Sequence, residues 1–304
     1  MNKRVAIIGA GNFGQALAFV LRAKQDMTVE MWDKDPAKVP IQRELPAVIR
    51  YSSIVFVCVP SWALRSALES IRGDLTPEAV VISPAKGIDN ERLTVDQLLE
   101  VVLLMGQPWA LLSGPMIASE MLAGQLSFAA LAAKEHLIFE EVRPVFSRTT
   151  VRLAYSSDPH GVALAGVLKN VYAVGLGAVE ALGLGHNVQG SLVMQSCLEM
   201  AQILQRLGGH AETAWGLAGV ADLVATGFSE HSRNCRVGKE LVKFGKQQTE
   251  SEGVSSLPHL KALVGRHIDL YPVLAAIDAI VEGTASAQEA IAKLLAVRYE
   301  REKV

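Results

Sequence analysis

The chain has 304 residues, half of them apolar and a fifth charged, which argues against disorder and leaves room for about two domains of the usual ~100–200 residues. Lysine plus arginine (29) nearly balance aspartate plus glutamate (31) for a net charge of −2, so the basic footprint of a nucleic-acid partner is missing. Cys58, Cys197 and Cys235 lie far apart without a CxxC, and no HExxH occurs; a secreted disulfide scaffold and a zinc finger are excluded, no cysteine metal site is expected, and a reducing, cytoplasmic setting is expected.

The opening residues, with Lys3 and Arg4 before an apolar stretch, imitate a signal peptide. Asn12 and Gln15 interrupt the apolar run, so the segment reads instead as a strand, a glycine turn and a helix. Beyond it, short apolar runs at 4–8, 28–32, 54–59, 79–83, 110–113, 127–132 and 151–155 predict strands, with helices at 12–23, 63–72, 94–105 and 135–146 between some of them. Continuously apolar strands alternating with amphipathic helices imply a parallel sheet covered on both faces. After Ser156-Ser157-Asp158-Pro159 the strand pattern stops and helical patterns at 161–181, 191–207 and 271–282 follow. Two domains are therefore expected, 1–156 and 157–304, the first α/β and the second all-α. Gly161 to Gly185 is long enough to span a bilayer, but the lysine near its middle and the many Ala and Gly residues predict a buried core helix.

Gly9-Ala10-Gly11-Asn12-Phe13-Gly14 is G-x-G-x-x-G between a strand and a helix. Its glycines allow a tight turn, close approach of a pyrophosphate, and close packing of helix on sheet. The helix that follows offers free N–H groups to phosphates. Nineteen residues past Gly14, at a strand end, Asp33 stands where a ribose-binding acid belongs. Together these predict a doubly wound, Rossmann-type dinucleotide domain; the plainer reading is a glycine-rich turn with a solvated aspartate.

Ligands of open α/β sheets sit at the carboxyl ends of the strands. There the chain places Val57-Cys58-Val59-Pro60-Ser61, Ser83-Pro84-Ala85-Lys86-Gly87 and Ser113-Gly114-Pro115. Lys86 would aim a cation at the reactive end of a cofactor, unless it is a solvated loop lysine. Lys169 has Ala165, Gly166, Tyr172 and Ala173 at i±3 and i±4. A lysine on so apolar a face is poorly hydrated, which lowers its pKa and suits it to proton transfer; the alternative is an inter-domain salt bridge. Asp222 is a lone acid in a glycine-rich apolar turn, and Ser232-Arg233-Asn234 gathers a hydroxyl, a guanidinium and an amide. That triplet suits a phosphate, or else Ser232 caps a helix beside a surface arginine.

Taken in order, the glycine loop, Lys86-Gly87, Ser113-Gly114-Pro115, Leu168-Lys169-Asn170, Gly219 to Asp222, Ser232-Arg233-Asn234 and Glu252-Gly253-Val254 resemble the bacterial NAD(P)-dependent glycerol-3-phosphate dehydrogenases almost end to end. The resemblance implies interconversion of dihydroxyacetone phosphate and sn-glycerol 3-phosphate in phospholipid precursor synthesis. It makes Lys169 the general acid/base, and Lys86, Gly114, Asp222, Ser232, Arg233 and Asn234 substrate contacts. Gly9, Gly11, Asn12, Phe13, Gly14, Asp33, Lys34, Lys86, Ala118, Arg233 and Glu252 would hold the cofactor. Asp33 favours NAD(H) by repelling a 2′-phosphate, while Lys34 leaves NADP(H) possible. A homodimer is possible; nucleic acid and integral membrane association are not expected. Four departures stand out: Met116 at the position of a serine, Ala221 for a glycine, Gly227 for a cysteine, and a short segment from Asp33 to Tyr51. Two other functions fit the same residues: a related reductase or hydroxyacid dehydrogenase, and an inactive dinucleotide sensor.

Overall fold

The structure, a computed structural model, describes residues 3–24, 26–41 and 43–296. Its first half contains β1 (Lys3–Ile8), α1 (Asn12–Arg22), β2 (Met27–Trp32), α2 (Leu45–Ile49), β3 (Ile54–Val57), α3 (Ser61–Ile71), β4 (Val80–Ser83), α4 (Val95–Val102), β5 (Trp109–Ser113), α5 (Ala118–Leu122), β6 (Ser127–Ala132), α6 (His136–Phe146) and β7 (Val151–Ser156). The second half is helical: α7 (Pro159–Ala181), α8 (Gly185–Leu207), α9 (Asp222–Gly227), α10 (Arg233–Phe244), α11 (Glu252–Val264), α12 (Pro272–Val281) and α13 (Ala287–Leu295).

The seven strands form one sheet in the order β2-β1-β3-β4-β5-β6-β7. Every neighbouring pair is parallel except β5 and β6, which are antiparallel. The expected parallel sheet holds except at this pair, and the connection explains why. A five-residue helix, α5, rises about 7.5 Å, too little to carry the chain back along a strand about 16 Å long. The chain therefore re-enters from the edge it left.

Alternate residues of the central strands feed opposite cores. Ala6, Ile8, Val55, Val57 and Val81 face α3 and the helical half, whereas Val5, Ile7, Ile54, Phe56 and Val80 face α1. Helices α1 and α3 thus cover opposite faces, and the order reverses between β1 and β3. That reversal opens a crevice at the carboxyl edge.

Helix α7 is the spine of the second half. Its apolar stretch is wholly buried, because α8, α9, α10, α11 and α12 pack around it and α4 and β5 meet it from the sheet. The Asp158 side chain caps it by accepting from the Gly161 N–H at 2.9 Å. Helix α10 crosses α7 at backbone contact: a Cβ at Gly177 would strike the Cys235 carbonyl, and one at Gly238 would strike that of Val174. This close crossing brings the start of α10 beside the middle of α7.

Candidate active site

The glycine loop turns at the crevice between β1 and β3. Gly9 has φ +100°, and a Cβ there would meet the Cys58 carbonyl. A Cβ at Gly14 would collide with the Gly9 carbonyl, whereas at Gly11 it would meet nothing. The first and third glycines are consumed by packing; the second leaves an open backbone surface that a pyrophosphate can approach. Gly11 is the N-cap of α1 and supplies no side-chain acceptor, so the first N–H groups of the helix stay available to an anion. Asp33 is buried and tied to the loop, its Oδ2 accepting from the Ala10 N–H at 2.7 Å and its Oδ1 from the Asp35 N–H at 2.9 Å. Lys38 Nζ also lies 3.9 Å from Oδ1. Asn12 is exposed on the first turn of α1, Phe13 is half-buried beside the core, and Ala118 starts α5, which packs on α1. These residues fit a dinucleotide.

Three distant segments meet at the same edge of the sheet. Lys86, after β4, places Nζ 2.5 Å from Asp222 Oδ2 and 3.5 Å from the Gly114 carbonyl oxygen. Its stem lies against α7 where Gly166 has no side chain. Lys169, in mid-α7, sets Nζ 3.3 Å from Asp222 Oδ1 and donates to Thr226 Oγ1 at 2.8 Å. Gly114 itself presses on the Phe128 backbone, which a Cβ would strike. Asp222 is the first residue of α9, delivered by a wide helical turn (Leu217–Ala221) kinked at Gly219.

Burial pushes the Lys169 ammonium down to about 8, with Asp222 opposing the fall and Lys86 adding to it. Burial also works against the Asp222 carboxylate. The charges of Lys169 and Lys86 outweigh it and hold the carboxyl below the usual range. Two cations thus share one buried anion, and Lys169 is poised to exchange a proton close to neutral pH.

The remaining predicted residues divide. Ser232 caps α10 by accepting from the Cys235 N–H at 3.2 Å, and Arg233 is exposed with no side-chain hydrogen bond or ion pair among the described residues. Asn234 is buried; it donates to Asn170 Oδ1 at 2.8 Å and accepts from the Gly253 N–H at 2.9 Å, locking α10 to α7 and α11. Glu252 reaches across the halves, accepting from Ser61 Oγ at 2.7 Å and Ser61 N–H at 3.3 Å. Lys34 is exposed, its Nζ 5.9 Å from the centre of the Trp62 ring. Sequence reasoning missed two participants, Thr226 and Ser61. Thr226 lies four residues after Asp222, the spacing that puts both on one helix face, and that signal was present.

The departures are accommodated locally. Ala221 has φ −64° and ψ −44°, an ordinary helical conformation that needs no glycine. A Cβ at Gly227 would meet the end of the Leu176 side chain, which occupies the space. Met116 is buried in the core cluster that α1 covers.

Residues 158–292 match the family model for the NAD-dependent glycerol-3-phosphate dehydrogenase C-terminus, and residues 4–44 and 34–138 match the model for its N-terminus. Glycerol-3-phosphate dehydrogenase [NAD(P)+] of Agrobacterium fabrum is 33% identical over 96% of this chain and 97% of its own length. The enzyme of that name from Synechocystis is 31% identical over 96% and 93%. Among solved structures, glycerol-3-phosphate dehydrogenase from Coxiella burnetii superposes with a TM-score of 0.87 at 25% identity, covering 97% of this chain and 99% of that one. The Plasmodium falciparum enzyme, at 17% identity and a TM-score of 0.86 over 98% and 97%, shares the fold. The glycine loop, the helical spine and the Lys86–Asp222–Lys169 centre belong to a chain that is a member of the NAD-dependent glycerol-3-phosphate dehydrogenase family.

Proposed function

We propose that the protein interconverts dihydroxyacetone phosphate and sn-glycerol 3-phosphate with NAD(P)(H), preferring NAD(H). Residues 1–156 hold the dinucleotide, and 157–304 complete the substrate site. The observation that carries the reading is the buried Lys169, with Nζ within 3.3 Å of Asp222 and its pKa lowered to about 8. When bound, the reduced nicotinamide supplies the hydride. The protein supplies the proton and the orientation. Lys169 donates from Nζ to the oxygen that was the ketone, and Asp222 and Thr226 hold the ammonium in place while it does. Lys86 stabilises negative charge developing at the same oxygen or on the substrate's phosphate side. The free N–H groups at the start of α10, with the exposed Arg233 guanidinium, offer the phosphate dianion a site. Glu252 and Ser61 join the halves around the cofactor. The three cysteines are free thiols, which supports a reducing, cytoplasmic setting.

The test is turnover by the purified protein of NADH or NADPH with dihydroxyacetone phosphate, beside a panel of 2-keto acids. Oxidation of NADH that depends on the triose phosphate supports the proposal. Activity with keto acids alone replaces it with a related reductase, and binding of NADH without any turnover replaces it with a sensor.

A further inference from the structure

At the crevice where the strand order reverses, two chain segments face each other across the glycine loop. One is the end of β2, with Asp33 anchored to the loop through Ala10. The other is the start of α3, directly after β3, and its second residue is Trp62. Trp62 is 68% exposed, which leaves a broad, flat ring face open at this edge of the crevice. It is not adrift. Lys34, the residue after Asp33, extends its ammonium to 5.9 Å from the ring centre, so the indole lies within one lysine side chain of the ribose-binding acid. Ser61, its neighbour, is fixed through its hydroxyl and its N–H to Glu252, which pins the first turn of α3 and with it the base of the indole.

The β2 side of the crevice is thinly built. Between Asp33 and α2 the described residues make one short turn, Pro36–Lys38, and the flanking Ile41 is 74% exposed. That segment supplies no aromatic ring. An adenosine whose ribose sits on Asp33 must find a surface for its base, and the flat, partly electron-rich face available on the opposite wall is the indole. Stacking on an indole suits a purine, and a cation already attracted to the ring adds to the match.

We propose that Trp62 is the platform on which the adenine of the dinucleotide stacks, with Lys34 lying along the same ring. The proposal rests on the dinucleotide reading of the glycine loop and goes beyond it by naming the residue that holds the base. Lys34 is then committed to the indole rather than to the ribose 2′ position. This leaves the Asp33 carboxylate to set the preference for NAD(H).

The experiment uses the full-length protein and its Trp62→Ala and Trp62→Phe variants. Calorimetric titration with AMP and with NADH reads binding without catalysis. Turnover with NADH and with reduced nicotinamide mononucleotide, which lacks the adenosine, reads where in the cofactor the effect lies. Trp62→Ala is expected to weaken AMP and NADH binding roughly 5- to 50-fold, the range of a lost aromatic–base stack. Trp62→Phe should recover most of it. The ratio of kcat/KM for NADH to that for the mononucleotide should fall in Trp62→Ala by a similar factor. Unchanged AMP affinity in Trp62→Ala, while the wild type binds NADH, overturns the stacking proposal alone. Equal losses for NADH and the mononucleotide also overturn it, since they would mean that the variant disturbs the loop. Absence of NADH binding by the wild-type protein overturns the dinucleotide reading itself.

Discussion

The two ligand-facing regions are built in opposite ways. The proposed cofactor end is local: six consecutive residues, Gly9 to Gly14, make the turn, and Asp33 joins them from the adjoining strand through one hydrogen bond of 2.7 Å to Ala10. The proposed proton-transfer end is assembled from afar. Lys86, Lys169 and Asp222 come from a loop, the middle of a helix and the start of another helix, and meet within 3.3 Å only because α7 runs beneath the sheet edge. A local site survives changes elsewhere in the chain. The assembled site depends on the packing of α7 against α9 and α10, which buries Lys169 and Asp222 almost completely.

The sharpest way to break this contrast is at Lys169. Lys169→Ala should lower kcat by about 10²–10⁴, the range for a lost general acid, while NADH affinity measured by titration stays near wild type. Near wild-type kcat would refute the proton-transfer role. In the intact enzyme, the pKa of about 8 sets the pH profile. Ketone reduction needs the protonated amine and should decline above about pH 8, whereas alcohol oxidation needs the neutral amine and should rise there. Profiles that move together would place the titration elsewhere.

Asp222 tests the buried electrostatics. Asp222→Asn leaves Lys86 and Lys169 close together without their anion. Removing one partner of a buried pair costs about 3–5 kcal/mol, to be read from urea unfolding. The surviving Lys169 should titrate lower, so the fall in reduction rate moves to lower pH. An unchanged profile would separate Asp222 from the proton.

Arg233 is the comparison's intermediate case, being exposed yet beside the assembled centre. Arg233→Ala should lower kcat/KM for the phosphorylated ketone by about 2–4 kcal/mol, as loss of a charge-assisted pair does. Dihydroxyacetone itself should lose less. Equal losses for both would show that the guanidinium does not hold the phosphate.

The smallest effect is expected at the cofactor end. Asp33→Ala should narrow the NADH-over-NADPH preference by about tenfold, the equivalent of one charge-assisted hydrogen bond, measured as kcat/KM at one ionic strength. An unchanged ratio would make the carboxylate a structural brace for Ala10 and Asp35 alone.

How much was legible follows from distance along the chain. The strands, the glycine loop, Asp33 and the oddity of a lysine on an apolar helix face were all visible, since each is a pattern within a few residues. The pairing of Asn234 with Asn170 and Gly253 was not, nor was that of Ser61 with Glu252; these side chains are separated by up to 191 residues. The reversal of β6 was hidden for a related reason. An apolar run has the same period whichever way it points, and direction is decided by how far the connection travels.

By itself, the sequence determined the βα alternation, the all-helical second half, the glycine turn between β1 and α1 and the presence of an isolated lysine and aspartate among apolar residues. Hydrophobic period and backbone freedom are local properties, so local order suffices to specify them. Only the tertiary structure decided that Lys86 and Lys169 share one carboxylate, that Thr226 accepts from the lysine, and that Trp62 stands open across from Asp33. Those relations depend on crossing geometry, on α10 meeting α7 at glycine-to-backbone contact, and on desolvation. Charge and proton affinity answer to what surrounds a group in space, which neighbours along the chain do not fix.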